Sequence, residues 1–238
     1  MSASTAVAAR AGAGVGARRA ELAAGLGGLV FLALLVVQNL LKAATDPAND
    51  ATPAQIVRFA HNQAWTVHLL TVTYVIGFPC LFLFAAGLSR RCSELAPASE
   101  LWSRVGRSSV GVVAVLFGFV NILQIVIVAA RSDLAHDPAL ASTLWASHNA
   151  VFTLNLVAVG GALLGLGRAA ALAGLIPPWL GRLTVGGAAL LAVAAAPAVR
   201  EVHGSNLLVL GLVGFLCWLV FLATASIRLI RDAGGHVA

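Results

Sequence analysis

Apolar residues gather along this chain in six long blocks, separated by short segments that carry its charges and most of its prolines. The blocks run over about 22–42, 66–88, 105–130, 144–168, 180–199 and 207–228. A hydrocarbon core about 30 Å thick is crossed by about 20 helical residues, so each block is long enough to span a membrane. The fifth is the shortest, with Pro197 near its end and much of its length Ala and Gly. The first follows Arg18 and Arg19 and precedes Lys42-Ala43-Ala44, which invites comparison with a signal peptide. Its apolar length exceeds the usual signal core of about 7–15 residues, and it reads as an uncleaved first span.

The links between blocks carry helix-start signals. Thr52-Pro53-Ala54-Gln55 has a capping threonine, proline at the first helical position and glutamine at the third. That pattern predicts a helix from Pro53, expected to run on into the second span. Asp137-Pro138-Ala139 predicts another helix start, continuing into the fourth span. Each forms a collar above the membrane.

Composition agrees with this topology: 60% of the 238 residues are hydrophobic and 10% charged, where a soluble domain carries roughly a quarter charged residues. Basic residues are retained on the cytoplasmic side. With the N-terminus inside, the inner segments hold eleven arginines (10, 18, 19, 90, 91, 104, 107, 168, 182, 228 and 231). The outer segments hold Lys42, Arg58, Arg131 and Arg200, beside Asp46, Asp50, Asp133, Asp137 and Glu201. The expected architecture is an all-α membrane protein of six transmembrane helices in three hairpins, both termini cytoplasmic. Residues 1–20 are expected as a disordered tail, 21–232 as the membrane domain and 233–238 as a second cytoplasmic tail.

The same distribution sets aside nucleic acid as a partner, because the arginines sit at loop ends as topology requires. Membrane lipids are the expected contact. Cys80, Cys92 and Cys217 make no disulfide framework and read as small packing residues. One lysine against fourteen arginines, with abundant Ala and Gly, suggests a GC-rich bacterial genome and hence a bacterial cytoplasmic membrane.

Trp65-Thr66-Val67-His68 and Trp145-Ala146-Ser147-His148 stand at the outer starts of spans two and four, and Glu201-Val202-His203 puts a histidine before span six. This suggests a duplicated hairpin. Asp46-Pro47-Ala48-Asn49-Asp50, Trp145 with His148-Asn149-Ala150-Val151-Phe152, and Ile176-Pro177-Pro178-Trp179-Leu180-Gly181 carry a further likeness. Over most of residues 22–231 the chain resembles a group of bacterial six-span membrane proteins catalogued as a domain of unknown function. The resemblance implies the fold and supplies no catalytic residue.

Polar side chains inside an apolar span need partners, so their positions point to function. Asn155 lies 13 residues from Arg168, about 20 Å along the helix, and Asn121 lies 14 from Arg107, about 21 Å. Both fall near mid-membrane, where a mutual hydrogen bond is the simplest role. The alternative is a polar vestibule open to the outside, lined by Gln38, Asn39, Thr71, Tyr74, Asn121, Gln124, His148 and Asn155, because the inner halves of the spans are nearly all Leu, Val, Ala and Gly. Thr73 belongs to the same band.

Histidines offer a different chemistry. If His68, His148 and His203 converge, they reach the ligand count of a zinc or copper site, with Glu201 a possible fourth group. No His-Glu-x-x-His, Gly-x-Ser-x-Gly, Walker or Cys-x-x-Cys pattern occurs. Gly161-Ala162-Leu163-Leu164-Gly165 suits close helix approach, within the chain or in a dimer. The reading is a non-enzymatic small-molecule or lipid binding, transport or accessory subunit with no cofactor and an oligomeric state left open. The alternative is a metal-dependent membrane enzyme.

Overall fold

The computed structural model describes residues 3–196 and 208–234. The described residues form helices and one short 3-10 turn, without strands. The helices are α1 (Ala3–Thr45), α2 (Pro53–Asn62), α3 (Ala64–Leu95), α4 (Glu100–Ala129), α5 (Arg131–Leu134), α6 (Pro138–Leu172), α7 (Pro178–Ala195) and α8 (Leu208–Gly234). Six of these, α1, α3, α4, α6, α7 and α8, are long and apolar enough to cross a membrane.

Helix α1 runs from Ala3, through residues 3–20 ahead of the first span; alanine and arginine are among the strongest helix formers, and no proline interrupts them. One expectation is corrected. Helix α2 does not run on into α3: it ends at Asn62, and Gln63, with φ −112° and ψ 19°, separates it from a new helix at Ala64. The fifth span ends at Ala195, and residues 197–199 of the expected block lie outside the described residues.

The cap signals are realised. The Thr52 N–H donates to Gln55 Oε1 at 2.8 Å and its hydroxyl to the same oxygen at 3.0 Å. Asp137 Oδ1 accepts from the Leu140 N–H at 3.0 Å, and α6 runs unbroken from Pro138 through its span. At the other end of α6, Gly174 adopts φ +69° and turns the chain toward Pro177 and α7, a conformation that an L side chain rarely takes.

Each hairpin packs arm against arm, α1 on α3, α4 on α6 and α7 on α8. Contacts of α3 with α4, α6 with α7 and α8 with α1 close these three pairs into a ring. Across its middle, α6 touches both α3 and α8. Small residues allow this closeness. A Cβ on Gly165 would run into the Gly106 backbone of α4, and one on Gly161 would meet the Ser109 hydroxyl at 2.6 Å. The Gly161/Gly165 pair therefore serves packing within the chain.

The side-chain pattern is that of a protein in lipid. Large apolar residues such as Val75, Phe119, Val115 and Leu212 point outward, while polar residues such as Gln38, Asn121, Gln124, Thr153 and Asn155 are buried. The core includes the free thiols Cys92 and Cys217. At the end opposite the collar, Arg91 of α3 draws together Glu21 of α1 at 3.7 Å and Asp232 of α8 at 3.9 Å.

Candidate functional site

Helix α1 ends beneath the collar with Lys42, one helical turn before Asp46. The segment after it folds back over the bundle, so that both side chains are largely buried. Lys42 Nζ lies 3.6 Å from Asp46 Oδ2 and 5.7 Å from the centre of the Phe152 ring. Gln124 of α4 donates to the same Asp46 oxygen at 3.1 Å. Burial pushes the Asp46 carboxyl up from its ordinary range, and the opposing pull of Lys42 and the Gln124 amide is smaller.

Helix α6 holds this segment down. The Trp145 indole N–H donates to the Ala48 carbonyl at 3.0 Å, and Asn149 Nδ2 to the Asn49 carbonyl at 3.3 Å. His148 is buried, stacked on Trp145 with ring centres 4.7 Å apart, and its Nδ1 sits 3.2 Å from Asn149 Oδ1. Trp145 also packs on Phe59 of the collar helix α2. Every expected vestibule residue except Thr71 and Asn39 is buried, and those two are half-buried.

Bonding among these residues differs from the simplest expectation. Asn121 accepts from Thr71 at 3.2 Å rather than pairing with Asn155. Asn39 Nδ2 donates to the Leu35 carbonyl of its own helix at 2.8 Å. Six buried polar atoms at this end have no partner among the described residues: Asp46 Oδ1, Tyr74 Oη, Asn121 Nδ2, Gln124 Oε1, His148 Nε2 and Asn155 Oδ1. Each is costly to leave unmade, by about 1–3 kcal/mol, so water or another polar group completes such a set.

Two spaces adjoin these atoms and share Phe117 as a wall. One, of about 10 Å³, lies between Gln38, Thr73 and Tyr74 and is of the order of a single water. The other, of about 150 Å³, is bounded by Asn39, Phe117, Phe152, Asn155, Gly211 and Phe215, from α1, α4, α6 and α8. Phe152 thus stands between Lys42 and the larger cavity, with its ring edge-on to Phe117 at 6.4 Å.

The two Trp-x-x-His segments do not match in three dimensions. Trp65 stacks on His68 as Trp145 does on His148, with centres 5.6 Å apart, but both Trp65 and His68 are exposed. His203 and Glu201 lie outside the described residues. Among the described residues no group of three His, Cys, Asp or Glu side chains is arranged to hold a metal ion.

Lys42, Asp46 and Asn149 are site residues that sequence reasoning left among loop charges and helix entrances. The available signal was the only lysine of the chain placed four residues before an aspartate, at the end of an apolar run. A family model described as "Domain of unknown function (DUF4386)" matches residues 21–224. Among curated proteins and solved structures, none matches the chain.

Proposed function

Because the chain belongs to the DUF4386 family, whose description assigns no activity, we propose a function from its own site: non-enzymatic binding of a small amphiphilic molecule at the collar end of a multi-pass membrane protein. The collar end faces outward in this reading, as the excess of arginine at the other end favours. The observation that carries it is the cavity of about 150 Å³ lined in part by Asn155, a residue only 1% exposed whose buried amide oxygen has no partner among the described residues. An empty apolar cavity of that size takes a ring the size of benzene. Phe117, Phe152 and Phe215 supply apolar walls, and the Asn155 oxygen calls for a hydrogen-bond donor. The ligand is therefore a small ring or short chain with a hydroxyl or amine.

The test is fluorine NMR of the purified protein in detergent with 4-fluorophenol and 4-fluorotoluene as probes. A saturable bound signal is expected for the phenol, preferred over the toluene by about tenfold, since an unmet buried acceptor costs about 1–3 kcal/mol. Asn155→Leu should erase the preference. Absence of saturable binding by either probe, or a preference that survives Asn155→Leu, would overturn the reading.

A further inference from the structure

The end of the bundle opposite the collar holds a second feature, independent of the ligand cavity. An open groove of about 670 Å³ lies where α6, α7 and α8 meet, and each helix contributes an arginine to it: Arg168, Arg182 and Arg228. No acidic residue lines the groove, and none of the three arginines forms an ion pair among the described residues. Some other arginines at this end do have acids: Arg104 meets Glu100 at 2.9 Å, and Arg91 reaches Glu21, Glu94 and Asp232. Arg168 is set in place by the Trp102 ring, 5.8 Å from its guanidinium. Three guanidinium groups around one space, with no acidic side chain among the described residues lining it, favour an anion there.

The walls say which kind. Beside the groove, next to its lining residue Pro178, Trp179 is exposed at the start of α7 and marks the level of lipid headgroups, where amphipathic aromatics collect. Val185, six residues further along α7, lines the groove and is itself exposed on the apolar flank. The groove thus passes from arginines to a surface built for acyl chains, which a free phosphate would leave uncovered. We propose that it holds the headgroup of an anionic phospholipid, with the phosphodiester between Arg168, Arg182 and Arg228 and an acyl chain against Val185.

Native mass spectrometry of the full chain in mild detergent, with phosphatidylglycerol or phosphatidylcholine of the same acyl chains, tests this. Phosphatidylglycerol should be retained in preference. A basic residue at an anionic lipid surface contributes about 1 kcal/mol, so each Arg→Gln change should weaken retention about fivefold and the triple R168Q/R182Q/R228Q on the order of 100-fold. Arg104→Gln, which removes a paired arginine of the same end, should leave retention unchanged. Should the triple variant fail to fold, R182Q and R228Q carry the test singly, because both side chains are exposed. Equal retention of the two lipids, or undiminished retention by the arginine variants, overturns the proposal. Displacement of phosphatidylglycerol by equimolar glycerol phosphate also overturns it, by making a free phosphate ester the occupant.

Discussion

The Lys42–Asp46 pair allows a quantitative test of how the collar end is held. Its side chains are 12% and 15% exposed and 3.6 Å apart, so each charge depends on the other. Removing one partner of a fully buried pair costs about 3–5 kcal/mol. Here the residual exposure, the Phe152 face beneath Lys42 and the Gln124 amide on Asp46 lower that to about 2–3 kcal/mol for either Lys42→Met or Asp46→Leu. The double variant strands no charge and loses only the Gln124 hydrogen bond, about 1 kcal/mol. The pair should therefore show a coupling energy of about 3–5 kcal/mol, at or above the upper end for residues in contact. For a chain of this length about 1 kcal/mol shifts Tm by about 2–4 °C, so each single should melt about 5–10 °C low and the double should recover most of that. Unfolding in mixed micelles of rising dodecyl sulfate content gives the free energies directly. Losses that add to within about 0.5 kcal/mol would refute the reasoning, because the two charges would then be independently solvated.

Three further outcomes follow from the same packing. The folded state raises the Asp46 carboxyl above its ordinary value of 3.8, so the native protein holds that proton more tightly than the unfolded chain. Its contribution to stability therefore falls as pH rises from 3.8 through the raised value and is level above it; Asp46→Asn should remove that slope from a Tm-against-pH series, and an unchanged slope would count against the burial argument. Gly165→Leu drives a side chain into the α4 backbone at Gly106 and should cost about 3 kcal/mol or prevent folding, whereas Gly111→Ala, which meets nothing, should stabilise by about 0.5–1 kcal/mol; equal Tm values for the two would contradict the packing. Trp145→Phe keeps the ring but drops the hydrogen bond to Ala48, and should cost about 1 kcal/mol while speeding limited proteolysis within residues 46–52; proteolysis at the wild-type rate would mean that the bond does not hold the segment.

Features that depend on local chemistry were legible in the sequence. The six spans follow from uninterrupted apolar length, and the starts at Pro53 and Pro138 follow from Thr52, Gln55 and Asp137. Features that depend on how segments meet were not. Asn62 and Gln63 carry no proline or glycine to announce the break between α2 and α3. That break separates the collar from its span, whereas α6 passes through its own without interruption, and the two Trp-x-x-His segments face opposite ways. Lys42 and Asp46 read as interfacial charges because the end of a span normally meets water. They are buried by a fold-back that Trp145 and Asn149 secure from about a hundred residues away along the chain. Of the polar band, the depth of Asn121 and Asn155 was legible, but their choice of partners was not, since either amide can bond to any neighbour that the packing supplies.

The ring closed by α8 against α1 carries a consequence for connectivity. Arg91 brings Glu21 and Asp232 to a common point, so the first and last spans meet at the same end of the bundle, as neighbours like any other pair. In such a ring, order along the chain is a matter of where the polymer happens to be cut. A circular permutant that joins the α8 end to α1 just before Glu21 through a short flexible linker, without the residues ahead of that point, and opens the turn at Gly174 would keep the six spans beside their present partners. It would insert the same six spans in a new order, starting from α7, and so part the instructions that set membrane orientation from the contacts that hold the fold.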